Sequence, residues 1–191
     1  MSSGFGQELD ASTLERAQRG DMAACARIYE IYGRTCYNLA LRILGETAAA
    51  EDIVQSVFLK VMENVRGYRG EAPFGSWLKR LVVNATIDQV RANRRLGDTD
   101  ADALLGVKPA LASGADAHTD AWSLLMRLAP RARAILILHE LEGYTHKELA
   151  AMFGQSESYS KSILARALHH LATLVEPSSP GGGAQLCAGG E

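Results

Sequence analysis

Cysteine is scarce: Cys25, Cys36 and Cys187 stand far apart, without the CxxC spacing of a closed zinc site and without an even number to pair. A disulfide framework is excluded, and the three read as reduced cytoplasmic thiols. Long apolar runs are missing too. No stretch reaches the roughly eighteen residues of a membrane span, and the opening MSSGFGQELD has no charged segment leading into an apolar one, so a cytosolic chain without membrane insertion is expected. An excess of one charge is also absent: 20 Lys and Arg against 22 Asp and Glu leave -2, which rules out coating nucleic acid by bulk positive charge. There is no glycine-rich phosphate loop, nucleophile elbow or paired-carboxylate arrangement, and His139, His169 and His170 lack companion ligands at metal spacing. Neither an enzyme nor a cofactor or metal site is therefore expected. Aromatic residues are few, at 6%, and the abundance of Ala and Leu points to an all-α chain.

What the chain does have is unevenly distributed charge. Residues 66–95 hold Arg66, Arg69, Lys79, Arg80, Arg91, Arg94 and Arg95 against Glu71 and Asp88 only, a local charge of +5. Residues 96–121 hold Asp98, Asp100, Asp102, Asp116 and Asp120 against Lys108. A basic segment followed by an acidic one cancels in the average, so any nucleic-acid binding must use a local patch.

Periodicity divides the chain into two small helical domains, at residues 10–95 and 122–176. Two short helices fit residues 10–26, with a cap at Ser12 or Thr13 and a break at Gly20-Asp21. Helical spacing then runs from Ile28 to a stop at Gly45, and again over residues 47–65, where Ile53, Val54, Val57, Phe58 and Val61 form the apolar stripe. Gly67, Gly70, Pro73 and Gly75 mark a loop that holds Tyr68 and Phe74 before a helix from Ser76 to about Arg95. Residues 96–121 have linker composition, and 24 of them fully extended span roughly 80 Å. In the second domain a Thr145-x-x-Glu148 capping box opens a short helix, Gly154 ends it, and a last helix covers about 157–175. Residues 177–191 read as a disordered tail.

The pair of helices from Thr145 to Val175, with Leu149, small Ala150, Gly154 at the turn and apolar Ile163, fits a helix-turn-helix. Its second helix would present Ser158, Tyr159, Lys161, Ser162, Ala165 and Arg166 to a major groove.

Three runs together, AEDIVQSVFLKV at 50–61, FGSWLKRLVVNATIDQVRANRR at 74–95 and LAPRARAILILHELEGYTHKELAAMFGQSESYSKSILARAL at 128–168, resemble regions 2 and 4 of extracytoplasmic-function sigma factors. The resemblance implies a promoter-recognition subunit that acts on core RNA polymerase, with region 4 reading the minus-thirty-five element. Glu51, Asp52 and Gln55 match the family's polymerase-docking positions, where charge gives orientation and rate. The loop and helix 66–95 are implied to open promoter DNA. A flipped base needs an aromatic surface, a pocket and cations for phosphate, and Tyr68, Phe74, Lys79, Arg80, Asn84 and Arg91 supply those types. Trp77 reads instead as a core anchor, and Asp88 as a partner for Arg91 or Arg95. An anti-sigma protein that covers both domains is implied as the inhibitor. The chain departs from the family pattern at Ala49 and Ser56, where acids are common, and at Tyr159-Ser160-Lys161-Ser162-Ile163, where relatives show Thr-Val-Lys-Ser-Arg. A packing Val thus becomes Ser160 and a basic group becomes Ile163. Two other readings compete: a sigma-like decoy for an anti-sigma protein, and a self-sufficient helix-turn-helix regulator.

Overall fold

The computed structural model describes residues 4–97 and 118–175, which puts most of the expected linker, the expected tail and Cys187 outside the described residues. Every regular element among the described residues is helical. In chain order these are α1 (Ala11–Gln18), α2 (Met22–Leu44), α3 (Thr47–Asn64), α4 (Phe74–Gly97), α5 (His118–Met126), α6 (Pro130–Leu136), α7 (His146–Phe153) and α8 (Glu157–Val175).

The helix starts differ from the sequence expectation in an instructive way. Asp10, not Ser12 or Thr13, caps α1: its carboxylate accepts the Thr13 N–H at 2.8 Å, while Thr13 itself is buried. The Ser12 hydroxyl donates to the same carboxylate at 2.6 Å, and this bond together with the Thr13 N–H holds the Asp10 carboxyl at about 2, below its ordinary 3.8. Asp21 does the same for α2 through Ala23 N–H at 2.8 Å, so the second short helix expected before Ala26 is the beginning of one 23-residue helix.

α2 is the spine of the first domain. Its Ile28, Tyr32, Cys36, Leu39, Ala40 and Ile43 are fully buried, and α3 and α4 pack against it through Val57, Val61, Leu78, Val82 and Val83. Each large aliphatic side chain buried this way contributes roughly 1.5–3 kcal/mol. The segment before α1 closes one end of this bundle: Phe5 is buried, and the Tyr32 hydroxyl donates to the Gln7 carbonyl at 2.5 Å. A Cβ on Gly75 would lie 1.9 Å from the Phe5 carbonyl oxygen, so no side chain fits where α4 passes under that segment.

The second domain packs α6 and α7 against α8. After α6 the chain widens into a π-helical turn, Ile137–Leu141, closed by Glu142 N–H to the Ile137 carbonyl at 3.2 Å. The two domains touch: α6 lies against α2 and α4, and α7 against α4. The contact is tight at Gly45, whose backbone is left-handed (φ 78°) and ends α2. A Cβ there would sit 2.6 Å from the Met126 sulfur and 2.9 Å from the Arg133 guanidinium, so glycine serves both the turn and the approach.

Candidate polymerase and nucleic-acid interfaces

Glu51, Asp52 and Gln55 are exposed on α3, on the side away from Ile53, Val54 and Val57. Leu59 (61% exposed) and Met62 continue that outer surface, and the exposed Tyr29 of α2 meets Phe58 edge-on with ring centroids 4.9 Å apart. The face combines a charged beginning with an apolar continuation, the second of which periodicity alone assigned to no site.

The loop between α3 and α4 is held from a distance. Gln18 of α1 donates its side-chain amide to the Val65 carbonyl at 3.3 Å and the Tyr68 carbonyl at 3.1 Å. The Tyr68 hydroxyl donates back to the Ala72 carbonyl at 2.5 Å, which fixes the ring over the loop. No sequence signal marks Gln18, because its partners are backbone groups about fifty residues away.

Tyr68, Phe74 and Trp77 form one aromatic cluster, with centroids 5.3–5.5 Å apart. Their roles differ from the expectation. Phe74 is 6% exposed, meets Tyr32 of the core and lies under the other two rings, so a stacking base has no access to it in this structure. Trp77, expected as a core anchor, is half-buried and joins Tyr68, Arg69, Glu71, Ser76 and Arg80 in lining a pocket. A pocket with two partly open aromatic walls and two guanidinium groups at its rim suits an unstacked base and its phosphates.

Beyond the pocket, Arg80, Asn84 and Arg91 are exposed along one stripe of α4. Arg91 pairs with Asp88 one turn away at 3.7 Å, both well exposed, an interaction weak enough for phosphate to displace. Lys79 stands about 100° around the helix from Arg80. It turns toward the second domain, where its ammonium meets the Glu142 carboxylate at 2.6 Å and the Glu142 carbonyl at 3.1 Å.

The helix-turn-helix is built as the sequence expects. The Thr145 hydroxyl accepts the Glu148 N–H at 3.2 Å, and the Glu148 carboxylate accepts the Thr145 N–H at 2.8 Å, which also lowers the Glu148 carboxyl below its usual range. Gly154 takes the left-handed conformation at φ 62°, and Ser156 caps α8 by accepting the Tyr159 N–H at 3.1 Å. Ser158, Lys161, Ser162 and Ala165 are exposed on α8, and Arg166 is half-buried beside them. Tyr159 is half-buried: Arg131 of α6 lies over its ring at 4.8 Å and over Phe153 at 5.3 Å.

Two departures from the family pattern acquire a physical reason. Ser160 is 2% exposed, and its hydroxyl lies 3.0 Å from His146 Nδ1, so a polar tie between the two helices replaces apolar packing. His146 stacks on His139 with centroids 4.3 Å apart. Ile163 is 3% exposed and belongs to the domain core, so it is a packing residue where a base was counted as lost. Among the described residues no group of three or more His, Cys, Asp or Glu is arranged to hold a metal ion.

Comparisons with known proteins follow this division. The sigma-70 region 2 model matches residues 28–96, and the sigma-70 region 4 model matches residues 119–171. The extracytoplasmic-function sigma factor SigM of Mycobacterium tuberculosis is 30% identical over 90% of this chain and 89% of its own length. BldN of Streptomyces coelicolor, of the same family, is 28% identical over 85% of this chain, which spans 64% of that protein. Among solved structures, the sigma factor RpoE of Bartonella quintana in complex with the anti-sigma factor NepR is 22% identical, covers 78% of this chain and 94% of its own, and has a TM-score of 0.51, a likeness of fold.

Proposed function

The chain belongs to the extracytoplasmic-function sigma factors, and on that premise we propose how its residues divide the work of directing RNA polymerase to promoters. The first domain, residues 10–95, docks on the core enzyme through Glu51, Asp52 and Gln55 of α3. Its α4 face then captures the non-template strand of the minus-ten element. The second domain, residues 122–176, reads the minus-thirty-five element with Ser158, Lys161, Ser162 and Arg166, while Tyr159 acts mainly by seating the helix against Arg131. The protein is not an enzyme and works in the cytoplasm beside the polymerase; no described helix is long and apolar enough to cross a membrane. An anti-sigma protein is its expected inhibitor; the Bartonella sigma factor was solved in complex with an anti-sigma factor, NepR.

The observation that carries the strand-capture assignment is the pocket on α4, where Tyr68 and Trp77 stand beside Arg80 at the start of the Arg80–Asn84–Arg91 stripe. Strand capture requires stacking surface and phosphate charge together, and this is where the described residues supply both on an open face. Stacking contributes roughly 1–3 kcal/mol per base, so Tyr68→Ala should keep polymerase binding and lose about tenfold or more in open complex on a duplex promoter. A template with a pre-melted bubble should restore part of the loss, since unpairing is then already done. Undiminished permanganate reactivity of unpaired thymines on duplex promoter would remove the assignment. A wild-type chain that binds polymerase but yields no run-off transcript from any promoter would favour the decoy reading.

A further inference from the structure

A second cavity adjoins the one lined by Trp77, Arg69 and Arg80. It measures about 550 Å³ and shares Tyr68 and Ser76 with the first, so these two residues stand between the cavities. Gln7, Glu8, Leu9 and Leu14 complete it on one side, Pro73 and Lys79 on the other. That volume is ordinary for a site that takes a small planar ligand. Four of its lining residues precede residue 28, where the match to sigma-70 region 2 begins, and that match therefore gives them no role.

The wall formed by residues 7–9 is fixed at both ends. Before it, Phe5 is buried, a Cβ on Gly75 would come within 1.9 Å of the Phe5 carbonyl oxygen, and the buried Tyr32 donates its hydroxyl to the Gln7 carbonyl. After it, Asp10 caps α1, and Gln18 at the far end of that helix donates to the Val65 and Tyr68 carbonyls of the capture loop. The leading segment and the loop are thus tied to one frame. The cavity between them is preorganised, which spares a ligand the cost of ordering its walls.

Its chemistry selects what can enter. Leu9, Leu14, Pro73 and the Tyr68 ring offer apolar surface to a flat group, while the charge left unanswered is negative. Lys79 spends its ammonium on the Glu142 carboxylate at 2.6 Å, whereas Glu8 is exposed and has no ion-pair partner among the described residues. An ionised carboxylate repels phosphate and only accepts hydrogen bonds, so the occupant has to bring N–H donors on a planar body. Cytosine and adenine do so with their exocyclic amines; thymine presents carbonyl oxygens instead. Gln7 carries an amide beside Glu8 that can donate to the ring nitrogen next to that amine.

We propose that this cavity is a second base-binding subsite, in which Glu8 accepts from the amine of a cytosine or adenine while a neighbouring base of the same strand occupies the Trp77 pocket. The subsite rests on the strand-capture reading and deepens it. The Trp77 pocket supplies stacking and phosphate charge; the segment ahead of α1 supplies a choice of base.

The test uses holoenzyme assembled from the full chain and core RNA polymerase, mixed with a pool of short single-stranded DNA of randomised sequence, and the retained strands are sequenced. Wild type should show a position at which cytosine or adenine is preferred to thymine by roughly fivefold or more. Glu8→Ala, a change at an exposed side chain, should level that position and leave the preferences at the others as they were. Glu8→Gln keeps an acceptor oxygen and should hold part of the preference. Equal profiles for Glu8→Ala and wild type, where Tyr68→Ala does alter them, overturn the second subsite and leave strand capture standing. Affinity that rises evenly over all positions in both Glu8 variants makes this carboxylate a general repellent of phosphate and overturns the subsite as well. Profiles untouched by Tyr68→Ala sink the strand-capture reading, and the subsite with it.

Discussion

The two domains bury polar groups in opposite ways. In the first, the buried Thr86 hydroxyl donates to the Val82 carbonyl of its own helix at 2.7 Å, the Tyr32 hydroxyl finds the Gln7 carbonyl of the same domain, and apart from Thr13 the other buried residues are apolar. In the second, Arg133 finds partners at the end of α2, and Ser160 finds His146 on the neighbouring helix. The first domain is built of long helices around a mostly apolar centre. The second keeps its shape with caps, a polar tie and a charge that is fully answered only against the other domain. Polar contacts of this kind are specific in register, because a buried polar group is costly in any arrangement that leaves it without its partner.

Three changes would break or sharpen that contrast. The largest is Phe74→Ala. Because Phe74 lies in the first core against Tyr32, the change should destabilise that domain by about 3–5 kcal/mol, with faster hydrogen exchange in α2 and α4 and little change in α7 and α8. Protection lost equally in both domains would show that they unfold as one unit. It follows that Phe74→Ala is a stability variant and that Tyr68→Ala is the cleaner probe of strand capture.

Smaller is Thr145→Ala, which removes half of the capping box and should weaken the helix-turn-helix by about 1 kcal/mol, seen as faster exchange at the first amides of α7 alone. Equal protection in variant and wild type would mean that packing, not the cap, sets the start of that helix.

The smallest effect is one of pH. His146 is held below its ordinary 6.5, first by desolvation and then by His139 and Lys161, against the opposite pull of Glu157 and Glu140. The folded second domain therefore prefers the neutral ring, and the unfolded chain takes up the proton first. Stability from this group is complete above pH 6.5 and falls as the pH drops below it toward the depressed folded value. Exchange protection of α7 and α8 should decline over that window, and His146→Gln should flatten the decline. A decline of equal size in the variant would place the titrating group elsewhere.

Local chemistry was legible in the chain. The capping box at Thr145, the left-handed stops at Gly45 and Gly154, and the apolar stripe of α3 are set by neighbours within a few residues, so spacing and residue type reveal them. Where local signals competed, reading by type erred: with Asp10, Ser12 and Thr13 side by side, only backbone geometry decides which side chain reaches the first N–H groups. Glu51, Asp52 and Gln55, proposed for docking, could be placed on an outward face because an apolar stripe defines its own opposite side.

By itself the sequence determined two helical units, the capping box and glycine stops, the family they belong to and the residue types that a promoter requires. The tertiary structure decided which of those residues face outward and which answer one another. Periodicity says that one side of a helix is apolar but not what covers it, so Phe74, expected to stack on a base, lies in the core, while Trp77 packs against the core and also lines the pocket. Pairing across the chain, Lys79 with Glu142 and Arg133 with the Ile43 and Leu44 carbonyls, depends on how two rigid bodies meet. That meeting is governed by shape and by the removal of charge from water, and neither is written in the spacing of residues along one helix.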